Sequence, residues 1–384
     1  LASTAIGALT APQLSAFSAG QISALTTAAI GGLTTPDMVA LTSTQVNGLT
    51  SGQVAALTTT QLAALSSTQI AALTNSAVTG FTTPAIAALT TTQVTGLTSS
   101  EVAALTTTQV GALSSTQIGA LTISAQSGLS TTDIVALKTS QIQGLTSAQV
   151  AALTVTQLGA LSSSQIGALT SASVQGLNIN QMSMAQVAGL TSVQVAALAT
   201  TQIGALSSGQ LGILTSVQIG ALSTSQVGAL SSSQIGSLSS SAIQGLTTAD
   251  VASLTSSQIV GLTTAEVAAL TTAQFASMTS GNLVALTTTQ VGALSSSQIG
   301  ALTTTQIGAL SSSQISALTT AAEAGLTTLD LASLTPTQIA GLRSNQIGAL
   351  SVLQIGALSS TQISALTSAA IPGFTTAQVS ALST

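Results

Sequence analysis

The sequence predicts an all-α repeat solenoid, in which each eight-residue unit forms one short helix of one to two turns. An octad runs almost without interruption from Leu1 to Thr384. Each octad carries helix-start signals, and the rare acids and prolines fall where a helix N-terminus favours them. Short-period repetition indicates one small unit stacked on copies of itself. A β-solenoid is the alternative, because Thr, Ile and Val are frequent.

The octad reads Leu, Ser/Thr, Ser/Thr, any residue, Gln, Ile/Val, any residue and Ala/Gly, followed by the next Leu. The strict alternation of polar and apolar residues that a half-buried strand shows is missing. A continuous helix also fails, because eight residues advance about 800° and would rotate the Leu stripe by about 80° per repeat. A short helix in every octad, broken at each Ser/Thr, satisfies the pattern.

Helix-start chemistry supports this interpretation at four places in the octad. Ser295 shows the arrangement, since it follows Leu294 as the N-cap and Gln298 then lies at N3, where it completes a capping box. Leu294 and Ile299 fall at N′ and N4, the two positions that form a hydrophobic staple. The same reasoning applies to most octads of the chain.

The rare residues agree with this register. Six of the seven acids lie at N3, namely Asp37, Glu101, Asp133, Asp250, Glu266 and Asp330. Four of the five prolines lie at N1 or N2, namely Pro12, Pro36, Pro84 and Pro336. Carboxylates complement the helix dipole there, and proline needs no hydrogen-bonded N–H. Lys138 and Arg343 take the N-cap place, whereas Glu323 and Pro372 do not fit the scheme. Glycine concentrates in the seventh and eighth places, where we expect it to end helices.

Helices this short are not stable alone, so Leu, Ile/Val and Ala must be buried against adjacent turns. Phe17, Phe81 and Phe374 replace the octad Leu, while Phe275 and Met38 replace Ile/Val. We therefore expect all five to be core residues. The Gln residues can cap helices, form ladders between turns, or do both.

A longer period is nested in the array, which we predict to be a single continuous solenoid over residues 1–384. Residues 26–73, 74–121 and 122–169 form three 48-residue super-repeats, and the register slips at 178–190. Octads that lack Gln at N3 mark this period, with Ala29, Ala77, Ala125 and Ser173 in its place. Six octads then correspond to a whole number of turns, and either two or three octads per turn divides six. The slip indicates a kink or bulge.

The residues needed for catalysis are nearly absent. The chain has no His and no Cys, and its seven acids occur singly. We therefore predict no catalytic, cofactor-binding or metal-binding residues, no cofactor and no enzymatic activity. A net charge of −5 spread over 384 residues argues against nucleic acid as a partner. No apolar stretch approaches the ~18 residues of a transmembrane helix.

The unit LTxxQ[IV]xAL resembles the octapeptide arrays of large secreted or surface-exposed proteins of Gram-negative bacteria. The resemblance implies an extracellular or cell-surface location and a structural or adhesive role, and it implies no site residues. We expect a structural protein that assembles with copies of itself into a filament, sheath or surface layer, with glycans as possible partners. The alternatives are the spacer or stalk of a giant adhesin, and a hydroxyl surface that binds ice or carbohydrate. Free variation between Ser and Thr weakens the last alternative.

Overall fold

A computed structural model describes residues 2–382, which are helical and contain no strand. The predicted all-α solenoid of short helices is therefore confirmed, and the β-solenoid alternative is wrong. The chain divides into two compact units, of which the first ends at Leu190 and the second begins at Thr191. Over the described residues, every helix is too short or too polar to span a bilayer.

Three helices form one turn in each unit. Within each unit, all but the last three helices pack against the helix three places further along the chain. One turn therefore takes three octads, or 24 residues, and the helices of successive turns stack in three columns. The described part of each unit holds 24 short helices, and thus eight turns. A 48-residue super-repeat spans two turns, which is why equivalent octads fall in the same column.

The first unit contains columns A, B and C. Column A consists of Ser3–Ile6, Thr27–Ile30, Ser51–Ala56, Asn75–Val78, Ser99–Ala104, Ile123–Gln126, Ser147–Ala151 and the 3₁₀-helix Ser173–Gly176. Column B consists of Ala11–Ser15, Thr35–Ala40, Thr59–Ala63, Thr83–Ala88, Thr107–Val110, Thr131–Ala136, Val155–Ala160 and the 3₁₀-helix Ile179–Gln181. Column C consists of Ala19–Ser23, Ser43–Asn47, Ser67–Ile70, Thr91–Val94, Ser115–Ala120, Thr139–Ile142, Ser163–Ala168 and Met184–Ala188.

The second unit contains columns D, E and F. Column D consists of Ser192–Ala197, Ser216–Ile219, Ser240–Ile243, Thr264–Ala269, Thr288–Val291, Ser312–Ala317, Pro336–Ile339 and Ser360–Ala365. Column E consists of Thr200–Gly204, Thr224–Gly228, Thr248–Ser253, Thr272–Ala276, Ser296–Gly300, Thr320–Glu323, Ser344–Ala349 and the 3₁₀-helix Ile371–Gly373. Column F consists of Ser208–Gly212, Ser232–Ile235, Ser256–Gly261, Ser280–Ala285, Thr304–Gly308, Thr328–Ser333, Val352–Gly356 and Thr376–Leu382.

The helices begin where the octad register predicts. Ser295 is the N-cap of Ser296–Gly300, and it forms a capping box with Gln298. Lys138 and Arg343 also occupy N-cap places, where their backbone N–H groups donate to the Gln three residues on. Several helices end at glycine as expected, with Gly7 and Gly48 as examples, but none does so in the left-handed conformation, because no described residue has a positive φ. The helices end in residues of negative φ, and glycine serves a packing role described below.

The register slip is a shortened octad. This unit has only five residues, 177–181, and the next unit begins at Met182. The five residues contain a 3₁₀-helix in place of an α-helix. This 3₁₀-helix still occupies a place in column B, and Met184–Ala188 stacks on Ser163–Ala168 in column C. Three residues are lost without disturbing the order of the columns. Pro372 likewise lies in a 3₁₀-helix, Ile371–Gly373.

The core is a thin layer of aliphatic side chains inside the columns. Leu294 and Ile299, the two staple residues, are 4% and 1% exposed. Burial of each such side chain contributes about 1.5–3 kcal/mol, which is how one-turn helices become stable. Phe81, Phe275 and Met38 are buried as expected. Two further Phe residues, 17 and 374, are half-buried.

Candidate functional site

The octad Gln links each turn to the preceding one. Gln117 Oε1 accepts a 2.7 Å hydrogen bond from the backbone N–H of Ser114, which completes the helix cap. Its Nε2 donates to the carbonyl oxygens of Ile86 and Leu89 at 2.8 and 2.7 Å. These carbonyls lie 31 and 28 residues earlier, and the same separations recur along both units. The Gln therefore has both roles that the sequence left open.

Other residues at N3 reproduce part of this link. Asn282 Nδ2 donates to the carbonyl oxygen of Leu254 at 2.6 Å, again 28 residues earlier. Ser173, in an octad predicted to be degenerate, donates its hydroxyl to the carbonyl oxygen of Leu145. Both side chains are shorter than Gln and reach one carbonyl where Gln reaches two. Several side chains can therefore make the link between turns, although octads with Ala at N3, such as Ala77, stack without it.

Aspartate at N3 uses a different partner. Asp133 Oδ2 accepts from the backbone N–H of Ser130 at 3.0 Å, while Oδ1 accepts from the hydroxyl of Thr107 at 2.9 Å. A carboxylate cannot donate to the carbonyls of the preceding turn. It accepts a hydrogen bond from a Thr hydroxyl 26 residues earlier instead. The same pairing joins Thr224 to Asp250 and Thr304 to Asp330, each at 2.9 Å.

Glu101 and Glu266 leave one oxygen each without a partner. Glu101 Oε2 accepts from the backbone N–H of Thr98 at 2.6 Å, whereas Oε1 is buried and unpaired. If Gln stood at this position, its Nε2 would take the place of Oε1 and would donate to the carbonyl oxygens of Ile70 and Leu73. Burial raises the pKa of both carboxyls, against the lowering effect of the N-cap hydrogen bonds. A protonated carboxyl can donate where the Gln amide does.

Glu323 occupies the place of the core Ile/Val. It is 1% exposed, and neither of its side-chain oxygens has a hydrogen-bond partner. Burial raises the pKa of its carboxyl to about 8, against a smaller lowering effect of the nearby Gln346 side chain. Gln126 occupies the same place in its octad, and its Nε2 donates to the carbonyl oxygen of Gln149 at 2.9 Å. The equivalent carbonyl for Glu323 is that of Gln346, so a protonated carboxyl has an acceptor nearby.

The negative charge of the sequence lies inside the solenoid. All seven acidic side chains are at most 7% exposed. Lys138 and Arg343 are therefore the only exposed charged side chains in residues 2–382. Arg343 Nε donates to the hydroxyl of Ser316 at 2.8 Å. Composition showed that charges are few, but it could not show that the surface carries almost none.

Close contacts between backbones explain the glycines that end octads. A Cβ on Gly80 would lie 2.0 Å from the carbonyl oxygen of Ser51, 29 residues earlier. Including Gly80, thirteen glycines make this contact, namely 32, 48, 80, 96, 128, 144, 176, 189, 245, 261, 325, 341 and 373. The opposing residue is Ser in every case except one, where it is Ala19, and it is never Thr. This pairing is visible in the sequence and indicates three octads per turn, but sequence reasoning missed it.

No described feature combines groups suited to catalysis. A shallow groove of about 440 Å³ in the second unit is lined by Thr288, Ser312, Ser313, Ser316, Ala317, Ala340, Gly341 and Arg343. It offers hydroxyls and one guanidinium, without a carboxylate or imidazole beside them. Between residues 2 and 382, no three His, Cys, Asp or Glu side chains lie close enough together to hold a metal ion. The features that repeat are the Gln links and the uncharged outer faces of the columns.

Comparison with known proteins identifies the repeat. The ALTTAQ repeat family matches ten segments, which are residues 19–51, 47–75, 86–123, 127–163, 203–240, 243–280, 267–304, 299–328, 324–360 and 353–384. No curated protein matches the sequence. Among solved structures, the leucine-rich repeat-containing protein LegL7 from Legionella pneumophila is 13% identical, over 61% of this chain and 78% of that chain, with a TM-score of 0.19. A likeness of this size says nothing further about this protein.

The family matches cover most of both units, and each match spans several octads. They coincide with the stacked one-turn helices and their Gln links. The chain therefore belongs to the ALTTAQ repeat proteins.

Proposed function

We propose that this chain is a non-enzymatic structural protein of the cell exterior, which packs side by side with copies of itself into a filament, sheath or surface layer. The observation that carries the proposal is the nearly charge-free surface. Among residues 2–382, the only exposed charged side chains are two cations. Proteins with little surface charge lack the mutual repulsion that keeps others apart, and they associate readily.

The distribution of polar groups supports a structural role. The solvent-facing places of the octads carry mainly Ser, Thr, Ala and Gly, repeated turn after turn. The acids are buried singly, each within its own octad, so none faces a second titratable group across a cleft. Such a surface offers many equivalent contacts and no reactive centre.

Electron microscopy of the purified full chain, together with sedimentation velocity at increasing concentration, tests the assembly. We expect ordered filaments or sheets, and association that persists at about 1 M salt because few charges are involved. Separate particles of uniform size at every concentration would contradict the proposal. The array would then serve as the spacer or stalk of a larger adhesin.

The location requires its own experiment. An antibody raised against the repeat should label intact, unpermeabilised cells if the protein lies outside the cell. Labelling that requires permeabilisation would contradict an exterior location. Mass spectrometry of the native protein would show, as added mass, any O-linked sugars on the exposed Ser and Thr hydroxyls.

A further inference from the structure

The outer face of column B differs from those of columns A and C. Its helices begin with Thr in five consecutive turns, at Thr35, Thr59, Thr83, Thr107 and Thr131. The helices of columns A and C begin variously with Ser, Ala, Thr, Asn, Ile or Met. The choice between Ser and Thr looked free in the linear sequence. At the first position of the helix, however, Thr is concentrated in column B. We call these five residues, with Val39, Val135, Val155, Pro36 and Pro84, the threonine face.

The threonine face exposes more large apolar side chains than column A or column C does. Val39, Val135 and Val155 are 64%, 63% and 58% exposed, and they are three of the five large apolar side chains exposed in this unit. Pro36 and Pro84 are also exposed on it. Thr, Val and Pro have few rotamers to lose, so ordering them in an interface costs little conformational entropy.

The hydroxyls of this face are free to bind another molecule. Thr35, Thr59, Thr83 and Thr131 form no side-chain hydrogen bond with another of residues 2–382, while Thr107 donates to Asp133. Each free hydroxyl can both donate and accept, so rows of them are complementary to identical rows. No charged side chain is exposed on column B, because its acids are buried and Lys138 belongs to column C.

We propose that the threonine face is the lateral contact between copies of this chain, with a second copy as its occupant. This inference rests on the proposed self-assembly. A second copy carries the same 24-residue turn, so its Thr rows repeat at the same spacing and stay in register over successive turns. A face that packs on its own counterpart forms a self-complementary contact, and the absence of charge removes repulsion between identical faces.

The test compares two charged variants of the full chain. T59E/T83E places two acids on the threonine face, and S43E/T91E places two acids at the same helical position in column C. Glutamate at the first position suits the helix dipole, so both variants should fold, which circular dichroism checks. Asn75 begins a helix of column A, so T59N/T83N provides an uncharged variant of similar volume, which replaces the hydroxyl and methyl groups at the same two sites by amides.

Sedimentation velocity measures the concentration at which half of the protein is assembled. We expect T59E/T83E to raise this concentration at least about tenfold and T59N/T83N to raise it less, while S43E/T91E leaves it within about twofold of the wild type. If the wild type does not associate, the proposed function fails and this inference fails with it. If the wild type associates and the two charged variants behave alike, the assignment to column B is wrong and the proposed function stands.

Discussion

Replacing Glu323 by Gln should remove a large pH-dependent loss of stability from this protein. Glu323 occupies the place of a core Ile/Val and is 1% exposed, and neither of its oxygens has a hydrogen-bond partner. The E323Q variant keeps the shape of the side chain and is neutral at every pH. Its amide can donate to the carbonyl of Gln346, as Gln126 donates to that of Gln149.

The magnitude follows from the pKa of the carboxyl, which burial raises from 4.5 to about 8. Below about pH 4.5 the carboxyl is protonated in both the folded and the unfolded chain, and it contributes no pH dependence. Between about pH 4.5 and 8 the unfolded chain ionises first, so the free energy of unfolding falls as the pH rises. At about 1.4 kcal/mol per pH unit, the total loss is about 5 kcal/mol, and it is complete above about pH 8.

Urea denaturation followed by far-UV circular dichroism measures this effect, since the chain has no Trp or Tyr for fluorescence. The wild type and E323Q are compared between about pH 4 and 9, so that Glu101 and Glu266, present in both, cancel in the difference. E323Q should match the wild type at about pH 4 and exceed it by about 5 kcal/mol at pH 9. A difference that does not change with pH would refute the reasoning.

Three further variants, with G159A as a control, test the contacts between turns, each by urea denaturation. E101Q restores an amide donor to the preceding turn and should stabilise the protein by about 1–3 kcal/mol at neutral pH, and an unchanged or lower stability would contradict this. G80A places a Cβ 2.0 Å from a backbone oxygen and should destabilise by at least about 1–3 kcal/mol, whereas G159A, with nothing within 4 Å, should stabilise by about 0.5–1 kcal/mol. Equal effects of the two Ala substitutions would show that the close approach is unimportant. Q117A removes the partner of the Leu89 carbonyl and that of the Ser114 backbone N–H, while the Ile86 carbonyl keeps its bond from the Leu89 N–H. It should destabilise by about 2–3 kcal/mol, and a loss below about 0.5 kcal/mol would show that the freed groups find other partners.

Contacts within one octad were predictable from the sequence. The N-cap and the Gln that pairs with it are three residues apart, so their chemistry is visible in any single octad. The prolines at N1 or N2 and the six acids at N3 take their places in the structure because of the same local requirements. Glu323 is the exception, and its departure from N3 correctly distinguished it from the other acids.

Contacts between turns were not predictable by the same route. The number of octads per turn, the second pair of Gln hydrogen bonds and the burial of every acid depend on residues 23 to 31 positions apart. Glycine at the end of an octad was predicted only to end helices, whereas many of these glycines also admit the backbone of the neighbouring turn. A count of residue pairs 29 apart would have revealed that role.

The sequence by itself therefore determined the helical unit, because capping and helix propensity act over three or four residues and repeat in each octad. The tertiary structure decided how those units stack, since packing joins residues of different turns and selects three helices per turn. The same packing brought the Thr residues that begin five successive helices of column B together and enclosed the carboxylates. The features that we associate with function, an uncharged surface and a threonine face, exist only once the octads are stacked.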